Sequence, residues 1–236
     1  MAGAHLDYLE AHFSMSLTLR RRLAMIDWLA SRIKATDRVL EWGCQHAVDS
    51  CIYRRRFGPE IELHGCDCVA PDSYKPFYDY SGIQYVEIQH PYLLDYPDGH
   101  FDVVTSNGVW EHIYWEQESL REVYRVVKPG GLFLVACLPN RYSYTEAFQR
   151  SMGHVAHDRL YTMKSARNAL ESLGYEVLST EYRLVVPTML NGFPGRLKNL
   201  YQKFDGAVWL ANTLLEHAWP INRIASNLML AARKPE

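Results

Sequence analysis

Residues 96–112 read YPDGHFDVVTSNGVWEH and residues 120–131 read LREVYRVVKPGG, and between them they decide the fold. Tyr96, Pro97, Asp98 and Gly99 form a turn signal, because proline presets φ, aspartate bonds its own backbone and glycine tolerates positive φ. The apolar run Phe101–Ser106 that follows is predicted as a strand. Glu116–Val127 then carries Leu120, Val123, Val126 and Val127 on one helical face. The breaker at Lys128–Gly131 ends that helix and starts a strand over Leu132–Cys137. Strand, helix and strand in this order make a crossover unit, which sets the two strands parallel in one sheet.

The same alternation extends outward in both directions. Upstream lie a short strand at Arg38–Gly43, a helical stretch at Val48–Phe57, a strand at Ile61–Asp67, a turn-rich segment Pro71–Gly82 and a strand at Ile83–Ile88. Downstream, a helix at Lys164–Leu173 stops at Gly174 and leads to strands Tyr175–Tyr182 and Leu228–Ala232. Before all of these, Leu19, Leu23, Ile26, Leu29, Ala30 and Ile33 recur at helical spacing between Ser16 and Lys34, predicting a helix with one buried stripe. The expectation is an α/β chain with a doubly wound, mostly parallel sheet. It is read as one domain over 1–236, with an N-terminal helical segment at 1–36 and a helical insertion at 187–223. The insertion carries Phe193, Leu197, Leu200, Phe204, Trp209, Leu214 and Trp219. Two readings stay open for it: packing on the domain or on a second copy in a homodimer, or walling an apolar acceptor pocket and touching a membrane surface.

Composition removes several alternatives. The 236 residues are 48% hydrophobic and 22% charged, enough for one substantial core. The formal charge of −2 offers no broad cation for a phosphate backbone, so no nucleic-acid partner is expected. Arg20–Arg22 and Arg54–Arg56 are read as solvated helix faces. Five cysteines lack the spacing of a disulfide framework, which favours a reducing, cytoplasmic setting. The start of the chain lacks the pattern of a signal peptide, and no run reaches the roughly eighteen apolar residues that span a bilayer. No metal is expected: Cys66 and Cys68 have no second ligand pair, and His154 with His157 lacks a nearby carboxylate pair beyond Asp158.

In doubly wound sheets, ligands bind at the carboxyl ends of the strands near the switch in strand order. Gly43 ends the first strand, where backbone can approach a ligand and the next helix offers free amides. Asp67 ends the second strand, placed to accept hydrogen bonds from both hydroxyls of a ribose. A nicotinamide dehydrogenase would want G-x-G-x-x-G after strand one, which is missing.

The two quoted segments resemble the class I methyltransferases, whose "PFPDxSFDVVxSNGVLEH" and "REVxRVLKPGG" signatures they match closely. The resemblance runs more weakly from about Asp37 to Tyr182. It implies a seven-stranded sheet with the last strand antiparallel and S-adenosylmethionine bound across strands one to four. By this analogy Glu41, Gly43, Cys44 and Gln45 stand in the cofactor loop, Asp67 grips the ribose, and Asn107 and Gly108 lie beside the methionine portion, while the adenine is left to Gln89, His90 or stacking by Tyr92. Two departures stand out. The family's E/D-x-G-x-G-x-G reads EWGCQHA at 41–47, so Gln45 and Ala47 add side chains that call for another loop path or a tighter fit. After strand three, His90 and Pro91 occupy positions where the family has an aspartate and a backbone N–H, and proline has none to give.

For the transfer itself, the protein has to align the acceptor with the activated methyl and exclude water, and a hydroxyl acceptor also needs a base. His157 and His112 are the candidates, His157 in the stretch 157–162 (HDRLYT) that resembles the family's "HxRxYT" segment facing the acceptor. Arg159 and Tyr161 of that stretch, with Tyr142 and Tyr144 after strand five, are expected to contact substrate. The expected activity is O-methylation of a small, lipid-linked or sugar-type acceptor. The rivals are an N-methyltransferase and a methyltransferase-like binding or scaffold protein without catalysis.

Overall fold

The computed structural model describes residues 16–153, 155, 157–188 and 195–236. Seven strands form one sheet: β1 (Arg38–Trp42), β2 (Glu62–Asp67), β3 (Gln84–Glu87), β4 (Phe101–Asn107), β5 (Val127–Pro139), β6 (Glu176–Arg183) and β7 (Asn227–Arg233). Their order is β3-β2-β1-β4-β5-β7-β6, parallel except that β7 runs antiparallel to both neighbours. The doubly wound fold class and the antiparallel last strand are therefore as expected. The order reverses between β1 and β4, where Val39 pairs with Val103 and Trp42 with Ser106, and a crevice opens past their carboxyl ends.

Both faces of the central strands are buried, which is why they read as continuous apolar runs rather than alternating ones. Val39, Val103 and Leu134 face one core with Met25, Ile26 and Leu29; Leu40, Val104 and Phe133 face the other with Leu120, Val123 and Leu170. The helices are α1 (Ser16–Ala30), α2 (Val48–Phe57), α3 (Lys75–Ser81), α4 (Glu116–Val126), α5 (Tyr144–Ser151), α6 (Met163–Ser172), α7 (Gly195–Lys203) and α8 (Asp205–Glu216). Helix α4 buries Leu120, Val123 and Val126 as its periodicity predicts.

Several local expectations change. The buried stripe of α1 is rotated: Leu19 and Leu23 are exposed, while Leu17, Met25 and Trp28 are buried. The rotation turns Arg22 inward to Asp49, at 2.5 Å. The segment Pro71–Gly82 is a 3₁₀ turn followed by α3, with Tyr74 and Tyr78 buried. Helix α5 was not predicted; the Ser143 hydroxyl caps it by accepting the Glu146 amide. The insertion packs on the domain: Glu216 and Asn212 of α8 accept the backbone amides of Leu184 and Val186 at 2.7 and 3.0 Å. Among the described residues no helix is long and apolar enough to cross a membrane.

Candidate active site

The loop after β1 meets its lost glycines with strained backbone. Gly43, Gln45 and Ala47 all have positive φ, 74°, 40° and 51°. Glycine takes that region freely, whereas another residue gives up about 1–2 kcal/mol. Gly43 itself is required sterically, since a Cβ there would lie 2.5 Å from the Val109 side chain. Hydrogen bonds fix the path: the Gln45 amide donates to Asp67 Oδ2 at 2.8 Å, and the Tyr78 hydroxyl donates to the Gln45 carbonyl at 2.6 Å. The Cys68 amide donates to the other Asp67 oxygen at 2.7 Å, so two main-chain donors orient this carboxylate.

A cleft of about 520 Å³ runs along the switch point, within the range of cofactor sites. It gathers Gly43, Gln45, Asp67, Asn107, Gly108, His112 and His157 from the predicted residues. Thr18, Arg21, Arg22 and Met25 of α1 also line it, as do Glu111 and Cys137, none of them read from the sequence as a site residue. The reading of Arg20–Arg22 as a solvated face is thereby corrected: Arg22 pairs with Asp49, whose other oxygen accepts from the Asn107 amide nitrogen at 2.6 Å. Asn107 Oδ1 is thereby left as a buried acceptor, without a hydrogen-bond partner among the described residues, in a residue that lines the cleft.

Other predicted residues lie elsewhere. Glu41 and Cys44 line a smaller adjoining hollow of about 80 Å³. The Glu41 carboxylate accepts the Ser50 amide at 3.0 Å and the Ser50 hydroxyl, and burial followed by the nearby Asp49 raises its pKa well above the carboxylate range. Burial likewise pushes the Cys44 thiol up, which keeps it protonated. Gln89 and His90 are exposed and outside the cleft lining; His90 Nδ1 accepts the Tyr92 and Leu93 amides, and Cys68 and Ile88 line the cleft instead. Tyr142 is exposed, and Tyr144 donates to the Val185 carbonyl at 2.7 Å. Arg159 donates to the carbonyls of Ile113 and Tyr114, and Tyr161 to Glu116 at 2.9 Å, so both brace the segment after β4 rather than line the cleft. Among the described residues, none of the insertion lines it either.

At the far end of the cleft, the His157 Nδ1–H donates to Glu146, a carboxylate 93% buried on α5 and flanked by Arg150 at 3.5 Å. The Arg150 guanidinium also donates to the His157 carbonyl, so ring and backbone are both held. The His112 ring sits 5.7 Å from that of His157, and partial burial, then the His157 charge, lower its pKa. Glu111 beside it is buried, which pushes its carboxyl up to about 7. His154 lies outside the described residues. Glu146 escaped sequence reasoning because it reaches His157 from a helix that had not been predicted.

The profile of the methyltransferase-domain family matches residues 17–180. The chain belongs to that family. A probable S-adenosylmethionine-dependent methyltransferase of Mycolicibacterium smegmatis is 28% identical over 173 residues, covering 68% of this chain and 60% of the relative. The sterol 24-C-methyltransferase of Eremothecium gossypii is 33% identical over 100 residues, 38% of this chain and 26% of the relative. These matches therefore span less than two thirds of either relative. A methyltransferase structure from Archaeoglobus fulgidus superposes with a TM-score of 0.64 at 19% identity, over 97% of this chain and 99% of that one. A chain of a Haloferax volcanii complex between a methyltransferase and its activator reaches 0.67 at 15% identity, over 100% and 96%.

With the family comes S-adenosylmethionine as cofactor, and the residues fit it. The Asp67 carboxylate, oriented by two amides, suits a ribose diol; Asn107 Oδ1, without a partner among the described residues, suits an ammonium; and Gly43 and Gly108 line the same cleft with no side chain of their own.

Proposed function

We propose that the chain transfers a methyl group from S-adenosylmethionine to a hydroxyl of a small, lipid-linked or sugar-type acceptor. The observation that carries this reading is the Glu146–His157 pair opening on the same cleft as Asp67 and Asn107. When bound, the cofactor supplies a methyl on a sulfonium, a leaving group that needs no protonation. The chain's own residues then have three tasks. Asp67, Asn107, Gly43 and Gly108 hold the cofactor; Met25, Val109 and Ile113 keep water from the lining; and His157 takes the hydroxyl proton on Nε2. Glu146 fixes the tautomer that leaves Nε2 free and stabilises the imidazolium that results. The exposed Leu200, Phe204, Leu210, Leu214 and Trp219 of the insertion support a greasy acceptor delivered along that surface.

Purified protein, methyl-labelled cofactor and parallel panels of hydroxyl and amine acceptors test the proposal. Label in hydroxyl products, with His157→Ala lowering kcat about 100-fold or more, supports it. Label in amines alone moves the reading to N-methylation, and absence of calorimetric heat with S-adenosylhomocysteine moves it to a binding protein.

A further inference from the structure

Glu111, His112 and His157 each present a ligand atom within 4.8 Å of the other two, at the acceptor end of the cleft. We propose that these three side chains bind a divalent first-row transition cation. Two imidazoles and one carboxylate are the donor set of zinc and cobalt rather than of magnesium or calcium, which take oxygen cages. The Glu111 side chain is 98% buried, and its Oε2 has no hydrogen-bond partner among the described residues, an arrangement that a cation would satisfy. Its other oxygen lies 3.8 Å from His112 Nε2. Metal–ligand bonds of about 2.0–2.1 Å require side-chain closure of roughly 1 Å, within reach of a ring that is 56% exposed on its side chain, as His112 is.

His157 is prepared from behind. Glu146 occupies Nδ1–H, the outer carboxylate that metal-bound histidines commonly have, and leaves Nε2 as the ligating atom. Gly108 contributes no side chain beside Glu111, where a Cβ would stand 3.8 Å from Glu111 Oε1. A fourth coordination position therefore faces the cleft and suits an acceptor oxygen. The cation's binding stands on these residues alone; its use on an acceptor rests on the function proposed above, with His157 Nε2 ligating in place of accepting a proton, and the metal-bound hydroxyl, its pKa lowered, giving its proton to solvent water before the methyl is transferred. Sequence spacing does not reveal the site, since Glu111 and His112 follow β4 whereas His157 follows α5.

The test is titration of the chelator-stripped full chain with Co²⁺, read by visible d–d absorption and by calorimetry. One equivalent binding with an intense low-coordinate band is expected. Glu111→Gln and His112→Ala, each with thermal unfolding recorded to confirm folding, should weaken cobalt binding at least tenfold, and Glu146→Gln about 10–100-fold. His90→Ala, outside the cleft, should leave it unchanged. Absence of band and heat up to millimolar cobalt, or wild-type affinity in Glu111→Gln and His112→Ala, overturns the proposal. Calorimetry with S-adenosylhomocysteine is run on the same samples: its failure in the unsubstituted chain refutes the methyltransferase reading and leaves the cobalt result standing.

Discussion

Replacing Gln45 with glycine will raise the stability of the chain. Gln45 sits at φ 40° with an exposed side chain, and its own amide and carbonyl bonds to Asp67 and Tyr78 keep it there. The left-handed backbone costs about 1–2 kcal/mol for a residue with a Cβ. Glycine relieves it but gives the unfolded chain extra freedom, worth about 0.4–1 kcal/mol in the opposite direction. The net gain is about 0.5–1 kcal/mol, a rise in Tm of about 2 °C for a chain of this length. Ala47→Gly is the contrast: φ is 51°, but the methyl is fully buried, and its loss of about 0.8 kcal/mol cancels the relief. Thermal unfolding followed by circular dichroism, with denaturant midpoints as a second measure, separates the two. A lower Tm for Gln45→Gly, or equal gains for both variants, would refute the strain argument.

Asp67→Asn should weaken S-adenosylhomocysteine binding about 10–100-fold by calorimetry, because a charged acceptor aligned by two amides is worth about 1.5–3 kcal/mol. Glu146→Gln should lower kcat on a hydroxyl acceptor about 10–100-fold and shift the acidic limb of the pH–rate profile, while S-adenosylhomocysteine affinity stays within about twofold. Glu41, raised by burial and then by Asp49, holds its proton in the folded chain and loses it in the unfolded one above the ordinary carboxylate range. Its contribution to stability therefore falls as pH rises from about 4.5 toward neutrality, and Glu41→Gln should flatten that part of a Tm-against-pH curve.

The strands were legible because burial on both faces writes itself as apolar runs of fixed length, and β4 and α4 lie where the segments at 96–112 and 120–131 place them. Asp67 was marked by the rule that ligands gather where strand order reverses, and Asn107 and Gly108 by the resemblance; all three line one cleft. Arg22 and Glu146 were not, since their meaning depends on partners 27 and 11 residues away that local spacing cannot reveal. The same limit explains Tyr161 and Arg159: the motif marked them for substrate contact, but the fold has them gripping Glu116 and the carbonyls after β4. The orientation of α1 was misjudged because its periodicity allows more than one stripe, and the Arg22–Asp49 pair selects among them.

Helix α1 is pinned along three successive contacts: Arg20 to Asp205 of the insertion at 3.5 Å, Arg22 to Asp49 beneath the cofactor loop, and Met25 in the cleft lining. Loop and insertion therefore both lean on this one helix, the first through the Arg22–Asp49 pair and the second through the Arg20–Asp205 pair. A chain shortened past Lys34 would lose both pairs together with the cleft wall formed by Thr18, Arg21, Arg22 and Met25, and Asp49 would lose the Arg22 cation beside it.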